Sequence, residues 1–342
     1  LDKFGAAVDY IAADGFEIVE RVFVTIEGKT PTSMAKSTGL AVMELSTVFN
    51  NLQPDMVVTI ADRYETIATS IAAAYQNIPL VHLQGGEITG NIDEKVRHAN
   101  TKMADVHFAS TEQAVDFLIR MGEDKEYVFH TGCPSIDLVA ELPPSEGLPF
   151  DPVERYGGVG AGFKHPEQYL VVMQHPVTTE FAQAKVDVTT TLEVIHELGI
   201  PTYWFWPNVD AGSDGTSRGI RSFREHRDLP CIHFFKNMEP SDFLFLLKHS
   251  MCLVGNSSAG IRECSFLGTP VVNIGTRQNK RERATNVLDV SHAKDNIAQA
   301  IRTQLEHGRY PSSQLYGDGK SGDRIAELMS KVPLRFHKTL SY

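Results

Sequence analysis

The sequence predicts two doubly wound α/β units, each built on a parallel sheet, and three observations predict it. Short apolar runs alternate with stretches of helical period along nearly the whole chain, the pattern of strand–helix–strand units joined by short links. The alternation halts at a joint rich in Pro and Gly, over 142–149 and again over 157–162, and then restarts. Polar or glycine-rich residues follow most of the apolar runs, at the strand ends where such sheets bind ligands. A length of 342 residues fits two cores better than one. The expected division is an N-terminal unit over 1–150, a C-terminal nucleotide-binding unit over 151–325, and a helix and tail over 326–342 that packs back on the N-terminal unit.

Taken in order, Asp2 to Ala13 reads as helix, and Gly15 to Ile18 leads into an edge strand. Thr32 or Ser33 caps a helix to about Asn51, with Ala35, Leu40, Met43 and Val48 along it. Pro54 to Ile60 is a buried strand, Ile67, Ile71 and Ala74 mark a helix, and Ile78 to Leu83 is the next strand. Asp93 opens a helix through Met103, Val106 to Phe108 is a strand, Thr111 caps another helix, and Tyr127 to Phe129 closes the run. Beyond the joint come strands over Tyr169–Met173, Thr202–Trp206 and Cys231–Phe235, with helices over Thr178–Leu198 and Pro240–His249. Ser250 to Val254 suits a buried parallel strand that turns through Asn256, Ser257 and Ser258 into a helix over Ile261–Leu267. Pro270 to Asn273, then helices over Ala293–His307 and Ser321–Lys331, complete the pattern.

A net charge of −11 argues against nucleic acid or an anionic membrane as partner; an anionic ligand would need local cations. Cys133, Cys231, Cys252 and Cys264 form no C-x-x-C pair, which fits reduced thiols in a cytoplasm and gives no zinc pattern. No apolar run reaches the length of a membrane span, and no signal peptide is evident.

The chemistry-bearing residues fall at the strand ends. The turn at Asn256, Ser257 and Ser258 offers free backbone N–H groups, a helix start and two hydroxyls, a seat for a phosphate; an ordinary Ser N-cap is the plainer reading. Asp62 follows a buried strand, as a helix cap or a catalytic carboxylate does, and Arg63 beside it suits a phosphate grip or a surface ion pair. The stretch His82 to His98 is the densest in polar groups, with Gly85 and Gly86 permitting close backbone approach. Asp93 is a helix cap or, with Asp62, one of two carboxylates for acid/base work at carbon. His175 is a structural histidine or a donor to phosphate. Asn208 to Gly215 resembles a calcium loop but lacks the glutamate at the twelfth position, so no metal site is read there. Neither a Walker A sequence nor a G-x-G-x-x-G after a strand is present.

Together these motifs resemble the hydrolysing UDP-N-acetylglucosamine 2-epimerase family, the branch feeding sialic, legionaminic and related nonulosonic acids. The markers are Asp62-Arg63, His82-x-x-Gly-Gly-Glu-x-Thr-Gly, Asp93-Glu-x-x-Arg97-His98-Ala-x-Thr-Lys102, His175-Pro-Val-Thr, Pro207-Asn-x-Asp-Ala-Gly-Ser213, Gly255-Asn-Ser-Ser258 and Gly275-Thr-Arg-Gln278. The resemblance covers essentially the whole chain. It implies a GT-B fold of two Rossmann-like domains around a central cleft. It also implies a first strand and a Gly-Thr-Arg loop ahead of Leu1, where this sequence opens in helix with no strand before it. Asp62 and Asp93 would be the catalytic carboxylates. Arg63, His175, Asn208, Ser257, Ser258, Glu263 and Arg277 would hold the nucleotide diphosphate, with Glu263 on the ribose. Many members carry a third catalytic Glu where Gln84 stands. Since an amide neither gives nor takes a proton at neutral pH, either Gln84 positions the substrate or Glu87 carries part of the work.

The resemblance implies elimination of UDP through a glycal and addition of water, giving UDP and a free 2-epimer, with no redox cofactor or metal required. The partner is a UDP-linked N-acetylamino sugar, and the assembly a cytoplasmic homo-oligomer. The alternatives are a non-hydrolysing 2-epimerase, a GT-B glycosyltransferase and a non-catalytic nucleotide-sugar-binding regulator.

Overall fold

The computed structural model describes residues 7–26, 30–61, 63, 64–89, 92–163, 166–177, 179–180, 182–207, 213–335 and 337–341, without the side chains of Ala7 and Ile92. Its contacts divide into two units. One is built on Val8–Asp137 and Tyr316–Tyr342, the other on Leu138–Leu315.

The first unit holds α1 (Ala7–Ala13), α2 (Pro31–Leu52), β1 (Val57–Ile60), α3 (Thr66–Tyr75), β2 (Leu80–Leu83), α4 (Ile92–Met103), β3 (Val106–Ala109), α5 (Glu112–Arg120), β4 (Val128–His130) and α6 (Pro134–Ala140), whose last residues pass into the second unit. Its strands form a parallel sheet in the order β1-β2-β3-β4. Successive side chains of a strand point to opposite faces. Val57 and Leu80 therefore pack with Phe49 of α2 and Ala72 and Ala73 of α3. Val81, Leu83, Val106 and Phe108 meet Ile325 and Leu328 of a late helix.

The second unit continues with α7 (Pro152–Tyr156), β5 (Val159–Gly160), β6 (Leu170–Met173), α8 (Ala184–Leu198), β7 (Thr202–Phe205), α9 (Ser213–His226), β8 (Ile232–Phe235), α10 (Pro240–His249), β9 (Cys252–Gly255), α11 (Ser258–Ile261), α12 (Glu263–Leu267), β10 (Val271–Ile274), β11 (Val287–Val290) and α13 (Lys294–His307). Its sheet runs β11-β10-β9-β6-β7-β8-β5, parallel except for β5. Leu170, Val172, Trp204 and Val254 face the cluster formed with α8, α9 and α13. The alternate residues Val171, Tyr203 and Leu253 face Leu246 and Leu247 of α10.

Finally α14 (Ser321–Lys331) and the tail return to the first unit. Ser321 and Gly322 donate their N–H groups to Asp137, and Arg324 donates to the Thr131 carbonyl. Glu123, wholly buried, receives Lys102 at 2.8 Å and stands beside His107 and Lys338.

The class read from the sequence, two α/β units built on parallel sheets, is the class observed, and the strand order reverses within the seven-stranded sheet. Several element readings change. No strand forms from Gly15 to Ile26; this stretch has no ladder partner, and Phe16, Val19 and Phe23 are exposed. The N-cap of α2 is Thr30, not Thr32 or Ser33; Ser33 closes a capping box with it. β1 is an edge strand with Val58 and Ile60 exposed, not a buried one. The Gly-rich half of the joint pairs with β8 as β5. The region read as a rejected calcium loop runs into α9, and the helix after β9 breaks in two at Arg262. Thr178, the expected start of α8, lies outside the described residues.

Candidate active site

In the four-stranded unit, the loops after β1 and β2 and the start of α4 gather the polar groups. Asp62 lies outside the described residues; its neighbours do not. Ala61 has φ +61°, a left-handed conformation that a non-glycine residue adopts only under constraint. Arg63 is half-exposed, and its Nε donates to Glu65 at 2.7 Å. That is the surface pair that the sequence left open, worth under about 1 kcal/mol in such a setting. Gln84, also left-handed at φ +62°, is buried. Its N–H donates to the Phe108 carbonyl at 2.8 Å, and its side-chain amide donates to the Cys133 thiol at 3.2 Å.

Glu87 is buried, and its carbonyl accepts from Arg97 at 2.7 Å. Arg97 is itself fully buried on α4, so it pins the loop ahead of its own helix. Glu94 adds a second tie by accepting from the Thr89 N–H at 3.2 Å. Asp93 sits inside the first turn of α4, not at its cap, where the helix dipole favours a negative charge.

In the seven-stranded unit, β6 and β9 are neighbours from which the chain winds away in opposite directions. Ligands of open α/β sheets bind at such a switch point. One side chain, Asn256, holds the loops around it together. It is 2% exposed; its Oδ1 accepts the His175 N–H at 2.7 Å and its Nδ2 donates to the His175 carbonyl at 2.9 Å. Its own carbonyl accepts from Arg277 at 3.2 Å and from the Gln278 amide at 3.0 Å. His175 after β6, the Ser257-Ser258 turn after β9 and Arg277 after β10 are thus fixed to one residue. The sequence reading placed Asn256 in the turn but gave it no role; an Asn beside two Ser residues carries no sign of its distant partners.

Ser257 is the N-cap of α11 and accepts from the Ala259 N–H at 3.3 Å, so the capping reading holds. Its hydroxyl proton stays available to an anion, and Ser258 follows. With α11 only four residues long, the dipole adds little, and the hydroxyls and N–H groups carry any anion seat. Glu263 opens α12, and its Oε2 is buried with no hydrogen-bond partner among the described residues. Gln174 Oε1, next to His175, is likewise buried without one. Asn208 lies outside the described residues. Among the described residues, no group of His, Cys, Asp and Glu gathers as a metal site, and no helix is long and apolar enough to cross a membrane.

The family model of UDP-N-acetylglucosamine 2-epimerase matches residues 3–330. A hydrolysing UDP-N,N'-diacetylbacillosamine 2-epimerase of Legionella pneumophila is 34% identical over 331 residues, covering 97% of this chain and 85% of that protein. A hydrolysing GDP/UDP-N,N'-diacetylbacillosamine 2-epimerase of Campylobacter jejuni is 30% identical over 291 residues, covering 84% and 73%. Among solved structures, the Methanocaldococcus jannaschii UDP-GlcNAc 2-epimerase in complex with UDP-GlcNAc and UDP superposes with a TM-score of 0.76 at 17% identity, covering 94% of this chain and 87% of that one.

Proposed function

The chain belongs to the UDP-N-acetylglucosamine 2-epimerase family, and from that membership we propose that it is a hydrolysing 2-epimerase of a UDP-linked N-acetylamino sugar. The structural observation that carries the reading is the convergence on Asn256, which ties His175, the Ser257-Ser258 turn and Arg277 into one rigid seat at the switch point. Such a seat suits a departing nucleoside diphosphate. In this reading His175, Ser257, Ser258 and Arg277 hold the pyrophosphate, with Arg63 and Asn208 as further contacts. Glu263, at the start of α12, accepts from the ribose hydroxyls in this reading.

The C2 proton of such a sugar is not acidic, so the C1–O bond loosens first. UDP leaves with the bonding electron pair, and oxocarbenium character at C1 acidifies C2. A carboxylate, Asp62 or Asp93, takes the C2 proton and leaves a glycal. Water then adds its oxygen to C1, while a proton returns to C2 on the opposite face. The balance is nucleotide sugar plus water giving UDP plus the free 2-epimer. Gln84 orients the substrate through its amide, and Glu87 is the remaining candidate for proton transfer. Names of relatives support N,N'-diacetylbacillosamine or N-acetylglucosamine as the sugar. We further propose that the chain serves nonulosonic acid synthesis in the cytoplasm and works as a homo-oligomer.

Incubating the protein in deuterium oxide with each UDP sugar, and following it by NMR, tests this. The expected products are free UDP and a free 2-epimer with deuterium at C2. A product that keeps UDP attached would favour the non-hydrolysing reaction. A free sugar of unchanged configuration would sink the glycal route, as would full turnover in both Asp62→Asn and Asp93→Asn.

A further inference from the structure

Two hydrogen-bond relays run from α4 to the backbone on either side of position 62. In the first, the wholly buried His82 stands between Thr101 of α4, with Nδ1 to Oγ1 at 3.2 Å, and the Ala61 carbonyl, with Nε2 to O at 3.1 Å. A carbonyl only accepts, so Nε2 carries the proton, and Nδ1 must then accept from the Thr101 hydroxyl. Burial pushes the His82 imidazole down to about 3, which keeps it neutral with this single N–H at neutral pH. In the second relay, the Ser70 hydroxyl donates to Asn100 Oδ1 at 2.8 Å, and Asn100 Nδ2 donates to Thr66 Oγ1 at 2.8 Å. The Thr66 hydroxyl donates to the Arg63 carbonyl at 2.7 Å.

His82, Asn100, Thr101 and Ser70 are each fully buried, in a region where an apolar core would be cheaper to build. Gly85 belongs to the same arrangement: a methyl there would stand 2.9 Å from His82 Nδ1 and 3.1 Å from Thr101 Oγ1. The two carbonyls held are those immediately before and after Asp62, and one of them belongs to the left-handed Ala61. Asn100 lies seven residues beyond Asp93 on α4, two turns along the same face and about 10 Å away along the axis. One helix therefore carries one catalytic carboxylate and the ties to the loop of the other.

We propose that His82, Thr101, Thr66 and Asn100 are positioning residues whose two relays brace the Ala61 and Arg63 carbonyls of the loop after β1 against α4, and that turnover depends on this brace. The proposal rests on the 2-epimerase reading above, with both carboxylates in the proton transfers.

The test removes one hydroxyl from each relay without changing shape, with Thr101→Val and Thr66→Val, and restores it with Thr101→Ser and Thr66→Ser. Turnover is followed as UDP release and nucleotide affinity as UDP binding by calorimetry. A brace predicts that kcat falls roughly 10- to 100-fold in the valine variants, with KM and UDP affinity within about twofold of the parent. The serine variants should recover most of the loss. Unchanged kcat in both valine variants would overturn the brace, and so would a parallel loss of kcat and UDP binding, which marks general damage. Imidazole nitrogen NMR supplies a readout independent of turnover: His82 should show the neutral Nε2–H tautomer at neutral pH. An imidazolium or an Nδ1–H tautomer overturns the brace even in an active enzyme. A parent protein with the expected tautomer that releases no UDP from any donor overturns the reading of the reaction, and with it the purpose assigned to the brace.

Discussion

Replacing Asn256 by Ala removes both halves of its bond pair with His175, at 2.7 and 2.9 Å, from a site that is 2% exposed. A neutral buried hydrogen bond contributes about 1 kcal/mol net, and a buried polar group left without a partner costs about 1–3 kcal/mol. Asn256→Ala should therefore destabilise the seven-stranded unit by roughly 2–4 kcal/mol. Asn256→Asp keeps the acceptor for the His175 N–H but turns an oxygen toward the His175 carbonyl, and should cost a similar amount. If about 1.4 kcal/mol of the loss falls on ordering the seat before it can bind, UDP affinity drops about tenfold. Both tryptophans, Trp204 and Trp206, lie in this unit, so their fluorescence in a urea titration reports its unfolding selectively. Calorimetry gives the UDP affinity. An Asn256→Ala protein with the parent's urea midpoint and the parent's UDP affinity would refute the idea that Asn256 holds the seat.

Gly255→Ala should destabilise the same unit by at least about 2 kcal/mol in the same titration, because Gly255 has φ +135° and a methyl there would collide with the Met173 carbonyl. Asp93→Asn should abolish UDP release while leaving UDP binding close to the parent, measured by turnover and calorimetry on one preparation. Burial pushes the Glu123 carboxyl up, but contacts from His107, Lys102 and Lys338 more than reverse this and hold it at about 2, below its ordinary 4.5. A depressed carboxyl gives stability that is present above pH 4.5 and lost as pH falls toward 2, so Lys338→Met should move the acid transition, followed by circular dichroism, to higher pH.

The strands buried on both faces were legible because apolar residues outnumber the single His or Thr that each carries, His82, His107, Thr202 or His233. Leu80–Leu83, Val106–Ala109, Thr202–Phe205 and Ile232–Phe235 are short apolar runs in a parallel sheet, and all their residues are buried. α9 was hidden because Ser213–His226 is polar, holds two glycines and buries only a narrow stripe that includes Ile220 and Phe223. β11 was missed for a related reason: Val287–Val290 has no fully buried residue, and its ladder is made by β10. In the site, the residue types at the strand ends were readable, but their distant partners were not. The contact of Gln84 with Cys133 spans 49 positions and that of Asn256 with His175 spans 81, and no local pattern encodes either.

The four-stranded unit is written in two separate pieces of chain, with the whole of 138–315 between them. During synthesis its sheet emerges early, yet α14, whose Ile325, Leu328 and Met329 cover Val81, Val106 and Phe108, emerges last. That apolar face waits through 178 further residues (315 − 138 + 1), roughly 10 to 40 s at ordinary ribosome speeds. The seven-stranded unit, whose sheet lies wholly within 138–315, can close on itself in that interval. A nascent chain stalled before Tyr316 would thus carry one finished unit and one sticky sheet, the form that a holding chaperone would meet.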